Sequence, residues 1–125
     1  MRYVFSCLVL ILTYGCAVRS STLVPVTITA SDIDDPCGAV GRVTASEKIN
    51  IPLRAAPGIT APTKLMLVAD THVLLCEMHN GWHGVVILET GKNCISEEYK
   101  RFTDKYKGPC QSGWIRNQFV ELFAG

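Results

Sequence analysis

The chain has no excess of charge of either sign: twelve Lys and Arg stand against eleven Asp and Glu, for a formal net charge of +1. No basic stripe runs along any segment, so nucleic acid gains no electrostatic hold and is not expected as a partner. Long apolar runs are scarce. The run from Val4 to Leu12 is nearly continuous, yet too short to span a bilayer. No glycine-rich loop is present to cradle a phosphate. The acidic stretch Asp32, Asp34 and Asp35 has no His or Glu beside it at metal-ligand spacing, and reads as a solvated loop. Neither a cofactor nor a metal is expected. A catalytic constellation is also missing, so the chain is expected not to be an enzyme.

What is present begins with an export leader. Arg2 forms a short positive start, the apolar run follows, and Gly15-Cys16-Ala17 supplies small residues. Cleavage after Ala17 is one reading. The other makes Cys16 a lipidated first residue, the sole route by which the chain would touch a membrane. Residues 1–17 are thus read as a signal peptide, 18–47 as a lead-in with one or two strands, and 48–125 as the folded unit, with an insertion at 90–110. Removing Arg2 with the leader takes the net charge to about zero.

Six cysteines are present, two of them in the leader. The remaining four suit an oxidising compartment and two disulfides. Three connectivities are possible. Cys94–Cys110 would close the insertion, and Cys37–Cys76 would tie the lead-in to a strand. Zinc is the competing use, with Cys76, His79 and His83 at tolerable spacing. Strand alternation would send Cys76 and His79 to opposite faces, and a fourth ligand is lacking. A Cys–His nucleophile needs an exposed, low-pKa thiol, which paired cysteines do not offer.

The strand signals cluster around two tryptophans. Asn80-Gly81-Trp82 is followed by His83-Gly84-Val85-Val86-Ile87, and Ser112-Gly113-Trp114 by Ile115 and then Phe119-Val120. Each pairs a turn dipeptide with an aromatic and β-branched run. Together they predict one β-hairpin with a stapled insertion. Earlier, Leu53-Arg54-Ala55-Ala56-Pro57-Gly58 runs into a Pro-Gly turn, and Leu65-Met66-Leu67 leads through Asp70-Thr71 to the strand His72–Cys76. Short strands at regular spacing predict an all-β domain shaped as a small barrel. Leu23 to Thr29 alternates but contains Pro25, which suits an edge strand. Within the insertion, Ser96 as cap, Glu97 and Glu98 in the first turn, and Tyr99, Phe102 and Tyr106 at helical spacing predict a short helix whose aromatic stripe packs on the barrel.

The order of a Pro-Gly loop, a turn at Asp70-Thr71, a Gly-Trp strand and a second Gly-Trp strand resembles the bacterial SH3 domain, over roughly residues 48 to 122. The cysteines, with Gly108-Pro109-Cys110-Gln111-Ser112-Gly113-Trp114, look like an exported, cysteine-containing proteobacterial subgroup of it. Ala56 and Asp70 stand where that family commonly has glycine; Asp tolerates a left-handed backbone better than most residues. The resemblance implies an SH3-like barrel acting as a binding module in the periplasm, outside the cell or on the outer membrane. Its partner would be a peptide, peptidoglycan or an envelope protein. Two other readings compete: an inhibitor or immunity protein plugging an exported enzyme, and a structural subunit of an envelope complex. A groove lined by Trp82, His83, Arg54 and Tyr99 is the expected ligand site, because aromatics and arginine dominate binding energy when desolvated. The competing reading makes Trp82 a core residue.

Overall fold

The computed structural model describes residues 23–31, 33–46 and 49–124. The leader with Cys16, and Asp32 of the acidic stretch, lie outside the described residues. The chain is all-β, as its strand and turn spacing predicts. In order come β1 (Thr27–Ile28), β2 (Ala39–Val43), β3 (Ile51–Arg54), β4 (Thr63–Leu67), β5 (His72–His79) and β6 (Trp82–Ile87). A one-turn helix α1 (Glu98–Arg101) follows, then β7 (Asp104–Lys105), β8 (Ser112–Arg116), a 3-10 turn at Asn117–Phe119, and β9 (Val120–Ala124).

Seven strands form one sheet in the order β4-β3-β8-β6-β5-β2-β9, and its ladders are antiparallel. β4 and β9 are its edges, and no ladder joins them among the described residues. The sheet curls without closing: Ile51 and Leu67 from one side and Val43 from the other meet in a single inner core with Leu53, Val73, Val85, Ile87 and Ile115.

A second core covers the opposite face. Trp82 and Val86 of β6 and Trp114 of β8 pack there with Val26 and Ile28 of the lead-in and with Cys94, Tyr99, Tyr106 and Cys110 of the insertion. Strand alternation explains the division, since Val85 and Ile87 face inward while Trp82 and Val86 face outward. With both faces covered, β6 is buried along nearly its whole length. Trp114 packs against its cross-strand partner Gly84. A Cβ at Gly84 would come within 3.2 Å of the indole and 3.1 Å of Val26, so any side chain there needs its neighbours to give way.

The lead-in and the insertion pair with each other as the two-stranded sheet β1-β7, with Thr27 opposite Lys105 and Ile28 opposite Asp104. Tyr106 donates its backbone N–H to the Val26 carbonyl, and the Trp114 indole N–H donates to the Val24 carbonyl, both at 2.7 Å. The lead-in is therefore part of the folded unit: β2 sits between β5 and β9, and β1 closes the outer core.

The insertion is a hairpin excursion between β6 and β8, stapled by Cys94–Cys110. Tyr106 Oη accepts from the Cys110 N–H and donates to the Cys94 carbonyl, so one phenol bridges both ends of the staple. The helix is shorter than its aromatic spacing predicts. Phe102 is already extended, which leaves it outside the stripe, and Ser96 makes no side-chain cap. Tyr99 and Tyr106 are buried, while Phe102 is 67% exposed. The second disulfide, Cys37–Cys76, joins the residue range before β2 to the middle of β5. Two disulfides point to an oxidising location outside the cytoplasm.

The turns divide into one that matches its sequence signal and one that does not. Asn80 and Gly81 both adopt positive φ, 44° and 86°, the requirement of a type I′ hairpin turn between β5 and β6. Asp70 takes φ 67° in the turn before β5, as its tolerance of that conformation allows. Ser112-Gly113, by contrast, is no turn but the start of β8. Gly113 is needed there because a Cβ would sit 2.7 Å from the Arg54 carbonyl oxygen.

Candidate functional site

At one end of the sheet the Asn80-Gly81 turn, the 3-10 turn and the loop after β3 come together. The Asn117 N–H donates to the Gly81 carbonyl at 2.9 Å and holds the first two in place. A cavity of about 110 Å³ opens here, lined by Ile51, Pro52, Arg54, Ile59, Trp82, Arg116 and Phe119. Its lining is five apolar side chains and two arginines. Register accounts for the meeting: Trp82 of β6 stands opposite Arg116 of β8, and Arg54 of β3 stands opposite Trp114.

Both guanidinium groups are held by uncharged partners. Arg54 Nη1 donates to the Ala61 carbonyl at 2.9 Å and to Thr63 Oγ1 at 3.3 Å. The Arg116 guanidinium lies over the Trp82 ring, 5.6 Å from its centroid, an attractive cation–π arrangement. Among the described residues no carboxylate pairs with either arginine, whereas Arg42 pairs with Glu121 and Asp70, and Lys92, Lys100 and Lys107 each pair with a neighbouring acid. Trp82 itself is only 8% exposed. It is a core residue whose outer edge also contributes to the cavity wall.

Of the four residues expected to share a groove, the structure brings Trp82 and Arg54 together and separates the other two. His83 follows Trp82 in an alternating strand and stands beside Ile115 of the inner core. Tyr99 is 8% exposed on the insertion. Its ring packs 6.0 Å from Tyr106, and its hydroxyl accepts the Lys107 N–H at 2.9 Å. It lines a different cleft, of about 450 Å³, with Phe102, Asp104 and Lys107. Arg116, Ile59, Pro52 and Phe119 were not anticipated. Arg116 had a signal in the sequence, two residues after Trp114 in an alternating strand and so on the same face.

The Cys76 sulfur is bonded to Cys37 and offers no thiolate beside His79 and His83. Among the described residues no three His, Cys, Asp or Glu side chains gather as a metal site. Asp34 and Asp35 are exposed on a loop where Ser31 Oγ accepts the Asp34 N–H. No described helix is long and apolar enough to cross a membrane.

His83 carries a pH-sensitive feature near this end. Its Nδ1 is buried with no hydrogen-bond partner among the described residues, and burial pushes the imidazole below its ordinary pKa. The folded chain thus refuses a proton that the unfolded chain accepts below about pH 6.5. The unfolded state binds more protons in the window between that value and the lower folded one, so stability falls as pH drops through it. Urea midpoints at pH 7.5 and pH 5 should differ more for the native chain than for His83→Gln. Equal differences would count against a burdened His83.

No protein-family model, curated protein or solved structure matches this chain.

Proposed function

We propose that the protein is an exported, non-enzymatic SH3-like binding module of the cell envelope, periplasmic or secreted, with Cys16 as a lipid anchor if the leader is processed there. Its partner is a peptide, peptidoglycan or an envelope protein. The observation that carries this reading is the Arg54–Trp82–Arg116 cavity. Elsewhere the sheet's central strands are covered on both faces, but here apolar surface and two arginines without described acidic partners stay open to solvent. Ile59 at its margin is 63% exposed. Pre-formed concave sites of this kind, apolar with a few fixed polar groups, are the usual form of a binding site. The two disulfides support an extracytoplasmic setting.

A second reading has one observation in its favour. Phe102 projects from a disulfide-closed insertion, the form a rigid plug for an exported enzyme would take. Sedimentation with purified cell-wall sacculi, set beside capture from envelope extract, tests both. Arg116→Gln is expected to abolish retention in whichever arm shows it. Retention lost only on Phe102→Ala would support the plug instead, and retention untouched by Arg116→Gln would remove the cavity from the site.

A further inference from the structure

We propose that the cavity between Arg54 and Arg116 takes the C-terminal residue of an extended peptide, an aliphatic side chain entering the cavity while the terminal carboxylate meets the two guanidinium groups. The inference rests on the binding-module reading and names the ligand chemistry for the same site.

Size sets the first constraint. A cavity of about 110 Å³ has room for one side chain of leucine or isoleucine size, and its apolar walls at Ile59, Trp82 and Phe119 favour an aliphatic one. Charge sets the second. Arg54 and Arg116 line the same small cavity, and neither has a carboxylate partner among the described residues. Guanidinium groups favour carboxylates because two parallel N–H donors match two oxygens. Arg54 is anchored through Nη1 on the Ala61 carbonyl, which leaves its remaining N–H groups for a ligand. Arg116 is positioned by the Trp82 ring rather than by an acid. Both cations are therefore pre-organised without being neutralised, and little ordering remains to oppose binding.

Geometry sets the third constraint and selects the terminus over an acidic side chain. The apolar anchor and the negative charge must reach the same cavity. In an extended strand successive side chains point to opposite faces. An Asp or Glu next to the anchor would direct its carboxylate away, and an Asp or Glu as the anchor would reach the arginines but set a carboxylate, rather than an aliphatic group, against Ile59, Trp82 and Phe119. A C-terminal residue carries side chain and carboxylate on one Cα and meets both demands.

The test uses the oxidised full chain and fluorescein-labelled peptides followed by anisotropy. The probes are Gly-Gly-Gly-Leu with a free carboxylate, the same peptide as its C-terminal amide, Gly-Gly-Asp-Leu amide, and Gly-Gly-Gly-Gly with a free carboxylate. The free-acid leucine peptide is expected to bind at least about tenfold more tightly than its amide, the loss of a charge-assisted hydrogen bond. It should weaken in high salt and outcompete both other controls. Arg116→Gln should weaken it by a similar factor while the chain stays folded, its urea midpoint moving only by the loss of one exposed cation–π contact, and Ile59→Ser should weaken it while preserving the preference for acid over amide. Equal binding of acid and amide, tightest binding by the Asp-Leu amide, or no effect of Arg116→Gln would overturn the inference. If no peptide binds while Arg116-dependent retention on sacculi or envelope protein persists, the ligand class is wrong and the module reading stands. If retention is absent as well, both fall.

Discussion

Trp114→Ala is expected to destabilise the protein by about 3–5 kcal/mol, the range for removing a large buried aromatic. Trp114 is 1% exposed and sits where three parts of the chain meet: Gly84 of β6 beneath it, Val26 of the lead-in beside it, and the Val24 carbonyl bonded to its indole N–H. Alanine would open a cavity between sheet and cover and leave that carbonyl without its donor. Because the lead-in covers the outer core, its docking should loosen before the inner core does. A urea titration followed by fluorescence of the remaining Trp82 reads the stability. Amide exchange at Tyr106, whose N–H donates to Val26, reads the local loosening. A midpoint shift equivalent to less than about 1 kcal/mol would mean that the outer core contributes little. Trp114→Phe, which keeps an aromatic ring but loses the donor, should fall between the two. Trp82 is not an equivalent reagent for the ligand site, since its burial in the same core makes any loss of binding in Trp82→Ala inseparable from damage to the fold. Arg116, exposed at the rim, separates the two effects.

Removing the Cys94–Cys110 staple, with both residues changed to serine, is expected to cost about 2–4 kcal/mol. The sulfurs close a loop of 16-residue separation, and both cysteines are buried against the outer core. Chain entropy of the unfolded state supplies most of the effect in the usual account. A second contribution is local. Tyr106 Oη bonds the Cys94 carbonyl and the Cys110 N–H at once, a bridge that needs the two ends held together. The double variant should therefore lose stability beyond the Tyr106→Phe change alone, and the two losses should be non-additive because they share atoms. An unchanged urea midpoint in the cysteine variant, or strict additivity with Tyr106→Phe, would show that the loop is held by β1-β7 pairing alone.

Legibility from the sequence was uneven in a way that particular residues explain. Asn80-Gly81 announced its turn because only a pair tolerant of positive φ suits a type I′ connection. Ser112-Gly113 carried a similar signal and misled: glycine there serves a close approach to the Arg54 backbone, a demand invisible until β3 lies beside β8. The helical spacing of Tyr99, Phe102 and Tyr106 was real, but Thr27 and Ile28 capture Lys105 and Asp104 into a strand, and the helix stops after one turn. Of the groove expected from Trp82, His83, Arg54 and Tyr99, Trp82 and Arg54 line one cavity, while alternation sets His83 on the opposite face from its neighbour Trp82 and the insertion carries Tyr99 elsewhere.

The sequence by itself determined what short-range physics controls. Strand alternation and left-handed turn residues specified an all-β chain, since each depends on residues a few positions apart, while the four cysteines announced two disulfides and left three pairings open. Only the tertiary structure decided that the sheet has two cores, and that the lead-in and the insertion join to build the outer one. It alone brought Arg116, Ile59 and Phe119 to Trp82 and Arg54, and carried Tyr99 to another cleft. These outcomes depend on register and on contacts such as Trp114 to Val24, 90 residues apart. A one-residue shift in register would exchange every face, so such contacts become fixed when both cores pack at once.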